Sequence, residues 1–151
     1  MPRTSLVQTA TQGPRLFYNV DKAVGPGAPN LRPDVLLVQY FLREIFKKTT
    51  TVGPFPGGEV IVDGNPGPQT FSAILHFQKE LRKQGTPVAV DGRVDPVLEE
   101  RVAGSISGTH YTILFLNLGY KDRRPQDWPQ VSRAHDCPGE LRPVLRVPEF
   151  V

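Results

Sequence analysis

The stretch SRAHDCPGELR (132–142) places Cys137 two residues after His135. A cysteine beside a histidine is the smallest pairing that can make a thiolate nucleophile. Here proline follows Cys137 directly, and the segment around it (121–151) is Pro-rich and has no sustained period. Glu99 and Glu100 are adjacent, and consecutive helical positions diverge, so they do not form an acid/base pair on one face. His76, His110, His135 and Cys137 show no paired ligand spacing, whereas a structural zinc takes four ligands in a closed set. These residues predict no catalytic centre, no metal and no cofactor.

Polar binding chemistry is better represented. VDGNPGPQT (62–70) and VDGRVDPVL (90–98) both read Val-Asp-Gly, three residues, then Pro. In an Asp-Gly turn the aspartate bonds back to nearby amides and the glycine tolerates positive φ. Two readings follow. Asp63-Gly64 and Asp91-Gly92 hold their own turns, with Gln39 and Gln78 capping backbone from helix flanks. Alternatively, both carboxylates, both glutamines and the exposed turn amides line a shallow polar groove. Such a groove would take a ligand rich in hydroxyls and amides through hydrogen bonds. Trp128, in PQDWP, either anchors its segment on the core or stacks on a sugar ring.

The elements that must position these residues are legible in part. In RPDVLLVQYFLREIFKK (32–48), Val35, Val38, Leu42 and Ile45 fall at helical spacing, widened by Leu37 and Phe41. Pro33 suits the first turn, Asp34 complements the positive helix end, and Lys47 and Lys48 suit the other end. A second helix begins at Pro68, carries Phe71, Ile74, Phe77 and Leu81, and stops at Gly85. Pro96 is read as opening a short third helix that Gly104 ends. Residues 109–119 are read as a helix capped by Thr109 and ended by Gly119, although TILFL is also β-prone. RLFYNV (15–20), Val60–Val62 and Val88–Val90 are candidate short strands, and the tail from residue 121 is expected to be extended or loop-like.

The whole chain of 151 residues suits one domain with a real core. Sixteen prolines and 14 glycines place irregular structure at the ends. The net charge of +3 is scattered, and Lys121, Arg123 and Arg124 are interrupted by Asp122, which argues against a nucleic-acid surface. No run approaches the ~18 apolar residues of a membrane span. A lone cysteine allows no internal disulfide. The first residues lack the apolar segment of a secretory signal, so synthesis in the cytoplasm and delivery by a non-Sec route are expected.

Over residues 30–104 the pattern resembles the peptidoglycan-binding domain appended to bacterial cell-wall hydrolases and to phage- or secretion-associated proteins. Asp34, Val35, Val38, Gln39 and Leu42 match that family's first block. Val62, Asp63, Gly64, Gly67, Pro68, Thr70, Ala73, Ile74, Phe77 and Gln78 match its second, and Val90, Asp91, Gly92 and Pro96 its third. The loop before the first Asp-Gly turn is longer and richer in Pro and Gly than the family pattern, and Asp95 stands where a second Gly-Pro would have glycine. SRAHDCPGELR is similar in part to the S-H-G-C-x-R motif of L,D-transpeptidases, but Asp136 replaces its glycine and the tail is too short for the sheet domain those enzymes use.

The expected fold is mostly α, a bundle of three to four short helices with short strands and turns and irregular Pro-rich termini. Residues 1–30 form an irregular N-terminal arm, 31–120 the helical domain and 121–151 an extended tail. The resemblance implies a non-catalytic module that binds peptidoglycan, with Gln39, Asp63, Gly64, Gln78, Asp91, Gly92 and Trp128 as ligand-binding candidates. The competing expectation is an adaptor for a phage or contractile injection assembly, holding a protein partner through loop 49–60 and the tail. Neither involves nucleic acid or a membrane.

Overall fold

The computed structural model of the protein describes residues 2–9, 13–47, 52–98, 105–106 and 109–146. An N-terminal hairpin pairs β1 (Arg3–Thr9) antiparallel with β2 (Gly13–Asn19). Helix α1 (Arg32–Phe46) and helix α2 (Pro68–Lys83) follow. Two short strands, β3 (Ser105–Ile106) and β4 (Thr109–His110), pair with each other ahead of α3 (Thr112–Arg123). Three helices with two small two-stranded sheets make a mixed architecture, which the mostly-α expectation fits only loosely.

Helix α1 is the centre of the molecule. Every residue from Asp34 to Leu42 is buried, so the helix is enclosed on all sides and not only along the predicted stripe. Pro33 sits in its first turn as expected. Asp34 reaches back out of the helix, and its carboxylate accepts the Asp21 N–H at 2.9 Å and the Lys22 N–H at 3.0 Å. Helix α2 starts at Pro68 and buries Ala73, Ile74, Phe77 and Leu81 against α1. Gly85, at φ +87°, lies just past its end.

Helix α3 differs from its expected bounds. Thr109 belongs to β4, and the helix runs from Thr112 straight through Gly119. Gly119 is a contact residue and no terminator: a Cβ there would lie 2.8 Å from Ile45 Cδ1, so the missing side chain lets α1 and α3 approach. The same interface packs Phe41 at a tilt against Tyr120, with ring centroids 4.7 Å apart. The helix expected from Pro96 is also corrected over Pro96–Leu98, which is non-helical. Both backbone groups of Val97 are taken by Asn19, its N–H by Oδ1 at 3.0 Å and its C=O by Nδ2 at 2.8 Å. That pairing competes with the first helical turn. Residues 99–104 of that expected helix lie outside the described residues.

Val60–Val62 forms no strand, because the Ile61 N–H is held by the Gln69 side chain at 3.0 Å. Val88 makes a parallel bridge to His110, and Val24 an antiparallel bridge to Val94. The N-terminal region, expected to be irregular, contains the hairpin, whose Phe17 and Tyr18 enter the core.

The tail is compact where it is described. It passes through 3-10 turns at Pro125–Asp127 and Val131–Arg133 and continues in turns to residue 145. Val131, Ala134, Cys137, Leu141 and Leu145 join the same core as α1. Arg124 fastens it through Glu44 Oε1 at 2.7 Å and Asp136 Oδ2 at 3.0 Å. The Tyr40 hydroxyl donates to Asp136 at 2.8 Å. Of the tail's expected contact points, Trp128 packs edge-on against Tyr18, while residues 147–151 lie outside the described residues.

Candidate ligand-binding site

The two Asp-Gly turns are built alike, each gripped by a glutamine from a helix. Gln39 Oε1 accepts the N–H groups of Asp63 at 3.1 Å and Gly64 at 2.9 Å. Its Nε2 donates to Asp63 Oδ1, to the Asn65 carbonyl and to Thr70 Oγ1. Gln78 repeats this one helix later. Its Oε1 accepts from Asp91 N and Gly92 N, and its Nε2 donates to Asp91 Oδ1, the Arg93 carbonyl and Thr112 Oγ1. In each turn the aspartate also accepts the N–H two residues on, Asn65 at 2.9 Å and Arg93 at 2.9 Å. This is an Asx turn.

Gly64 and Gly92 take φ of +77° and +73°, the left-handed region that the turn requires. Asp63 has its pKa lowered, first by the Asn65 N–H and then by Gln39, with burial opposing.

A third amide completes the series. Asn117 of α3 accepts the Tyr18 N–H at 2.7 Å and donates to the Tyr18 carbonyl at 2.8 Å. Gln39, Gln78 and Asn117 stand at equal intervals along the chain, one per helix. Each helix thus uses one buried amide to hold an extended or turning segment. Sequence reading missed Asn117 because its partner is a strand without the Asp-Gly signal.

The glutamines are therefore saturated from inside. Gln39 is 1% exposed and Gln78 0%, and both ends of each side chain are bonded to the turn. Gly64 and Gly92 are buried as well, and their amides face the glutamines. Of the candidate ligand contacts, Asp63 and Asp91 alone are exposed at the turns. Trp128 is half-buried against Tyr18 and lines neither of the depressions beside the turns.

One of those depressions, about 200 Å³, lies beside the first turn and is lined by Ile61, Asp63, Asn65 and Gln69 among others. The other, about 260 Å³, lies beside the second turn. Asp91, Arg93, Asp95, Thr109, His110 and Tyr111 line it. The segment 25–32 ties the two turns together. Arg93 donates to the Pro26 carbonyl at 3.3 Å, and the Arg32 guanidinium lies where a Cβ on Gly64 would point. Arg32 also makes a two-pronged ion pair with Glu140 at 2.9 and 2.8 Å.

Cys137 Sγ lies 3.6 Å from the Pro138 carbonyl. Cys137 is buried, and burial pushes its thiol up to about 11, which keeps it protonated near neutrality. Asp136 is committed to Arg124 and Tyr40. His76 bonds the Gly53 carbonyl at 3.0 Å and packs at a tilt against Phe46 and Phe55, fastening loop 52–60 to α2. Among the described residues, no three of His, Cys, Asp and Glu are grouped to hold a metal ion, and no helix is long and apolar enough to cross a membrane. The chain matches no protein-family model, no curated protein and no solved structure.

Proposed function

We propose that this chain is a non-catalytic binding module for peptidoglycan, and that the depression beside the second Asp-Gly turn receives the glycan or its stem peptide. One observation carries the reading: a rigidly backed turn presents closely set donors and acceptors in a shallow concavity. Asp91, Asp95 and Thr109 accept from hydroxyls and amides, Arg93 and Thr109 donate, and the Tyr111 ring supplies a flat apolar surface. Muropeptides offer sugar hydroxyls, N-acetyl groups, peptide amides and terminal carboxylates. Gln78 holds the turn from behind, so little ordering is needed on binding.

Gln78 backs the turn beside this depression and does not line it, whereas Gln39 is among the residues lining the depression beside the first turn. The tail that an adaptor would extend to a partner buries Val131, Cys137, Leu141 and Leu145 in its own core, which leaves the turns as the surface to test first.

Co-sedimentation with purified sacculi is the test. The wild-type protein is expected to pellet above a mock control, and Asp95→Ala, an exposed change, to pellet several-fold less while melting at the same temperature. Absence of pelleting by the wild-type chain would remove the proposal.

A further inference from the structure

The two Asp-Gly turns share their bonding but not their charge. Position for position, Asn65 of the first corresponds to Arg93 of the second, and Gly67 to Asp95. The second turn thus carries an opposite pair where the first is neutral. Both charges line the depression of about 260 Å³ beside that turn, together with Asp91. Arg93 Nη2 lies 3.6 Å from Asp95 Oδ1, and the two side chains are 35% and 49% exposed. An ion pair so open to water adds little to folding stability.

The charged groups keep bonding capacity beyond the turn. A guanidinium has five N–H donors. On Arg93 one is directed at the Pro26 carbonyl at 3.3 Å and another faces Asp95. Gln78 Nε2 and the Arg93 N–H both bond Asp91 through Oδ1, so the turn itself does not use Oδ2. Two carboxylates against one guanidinium leave the depression net negative, which favours an ammonium. Arg93 offers a carboxylate a place beside it. Thr112, in the same lining, begins α3, which has no capping side chain and no acidic residue in its first turn. The positive end of that helix adds to the attraction Arg93 exerts on a carboxylate.

Resting on the peptidoglycan reading, we infer that this depression takes the free end of the stem peptide's diamino acid, where one carbon bears both an ammonium and a carboxylate. Asp95 and Asp91 accept from the ammonium, and Arg93 donates to the carboxylate. The glycan's hydroxyls and N-acetyl groups carry no charge and would leave the opposite pair unmet. The stem's terminal alanine has a carboxylate but no ammonium. The volume, about 260 Å³, is below the roughly 300–1,000 Å³ of a pocket that encloses a whole small molecule, and it suits a chain end. A stem cross-linked through that amino group has become an amide and lost its charge. The module therefore selects stems that are not cross-linked there.

Titration of the full chain against three preparations of diaminopimelate-type sacculi tests this. One is untreated, one has its free amino groups acetylated, and one comes from walls whose diaminopimelate carboxyl is amidated. Wild-type protein is expected to pellet with untreated sacculi and to bind each modified preparation about fivefold more weakly. Asp95→Asn should bind untreated sacculi at that reduced level. It should bind acetylated sacculi as the wild type does, because the partner of its lost charge is already gone. Undiminished binding to either modified preparation overturns this inference and leaves the peptidoglycan reading standing. So does an Asp95→Asn loss that is equal on untreated and acetylated sacculi. Absence of pelleting with all three removes both.

Discussion

Gln39 and Gln78 each bridge a helix to a turn, so their removal should cost more than an ordinary polar substitution. Gln78→Ala strands the N–H groups of Asp91 and Gly92 behind the turn, where water reaches them poorly. Leaving a buried donor unpaired costs ~1–3 kcal/mol, and two are affected, so about 2–6 kcal/mol is expected from chemical denaturation. Gln69→Ala, whose partners are exposed, should cost under about 1 kcal/mol. The glycines make a second test. Gly92→Ala meets only ordinary contacts, 3.7 Å and beyond, so its cost isolates the positive φ and should be about 1–2 kcal/mol. Gly64→Val adds β-branching beside the Arg32 guanidinium and should cost ~1–3 kcal/mol, with an unchanged melting midpoint counting against the turn.

Among the elements, the contact between α1 and α3 is set by a missing side chain. Gly119→Val would drive its Cβ to within 2.8–2.9 Å of Ile45 Cδ1 and Cγ1, and overpacking of this kind costs about 1–3 kcal/mol. Because the clash is with one residue, Ile45→Ala should relieve much of it. The double variant is then less destabilised than the sum of the two single ones, and simple additivity in thermal melts would refute the contact. Loop 52–60 is tied to α2 at separate points, by His76 to Gly53 and by Gln69 to Gly57 and Glu59. Its unusual length is therefore bonded to the helix and not left as a free insertion.

The whole molecule closes through the tail. Asp136 is penalised by burial, yet the Arg124 guanidinium and the Tyr40 hydroxyl outweigh that and hold its carboxyl at about 2. A folded pKa below the unfolded one means that this stability is fully present above the unfolded value and is lost as pH falls from about 4 toward 2. Asp136→Asn should cost about 2 kcal/mol at neutral pH and flatten the acid limb of the stability curve over that window. Denaturant titrations across pH check it. At alkaline pH the signs reverse for Tyr18, Tyr40 and Tyr120, raised chiefly by burial, and their contribution falls as pH rises above about 10. The tail is also predicted to resist protease. Pro125 protects the bond after Arg124, so the susceptible site is Arg123–Arg124. Arg123 donates to the Ile45 carbonyl and Arg124 is held by Glu44, Asp127 and Asp136, so trypsin should cut between them only as the domain unfolds. Immediate cleavage there, leaving a core that melts unchanged, would contradict the packing described.

What the sequence determined by itself is local. Proline at the first turn and apolar residues at helical spacing specified α1 and α2, because backbone φ and one-sided burial are written into neighbouring residues. The Asp-Gly dipeptides specified two positive-φ turns for the same reason. What those residues do was decided in three dimensions. Whether Gln39 and Gln78 face a ligand or the turn depends on which side of the helix the turn folds over. That is a long-range contact with no local signature. Gly119 reads as a helix stop until Ile45 is beside it, and Pro96 as a helix start until Asn19 takes Val97. The tail reads as an extended segment lying on the core through Trp128 and its last residues, and its compact 3-10 turns are not legible because its apolar residues have no period. It is ordered by the Arg124, Glu44 and Asp136 network and by a core that α1 had left open on that side, since burial rewards proximity in space and not spacing along the chain.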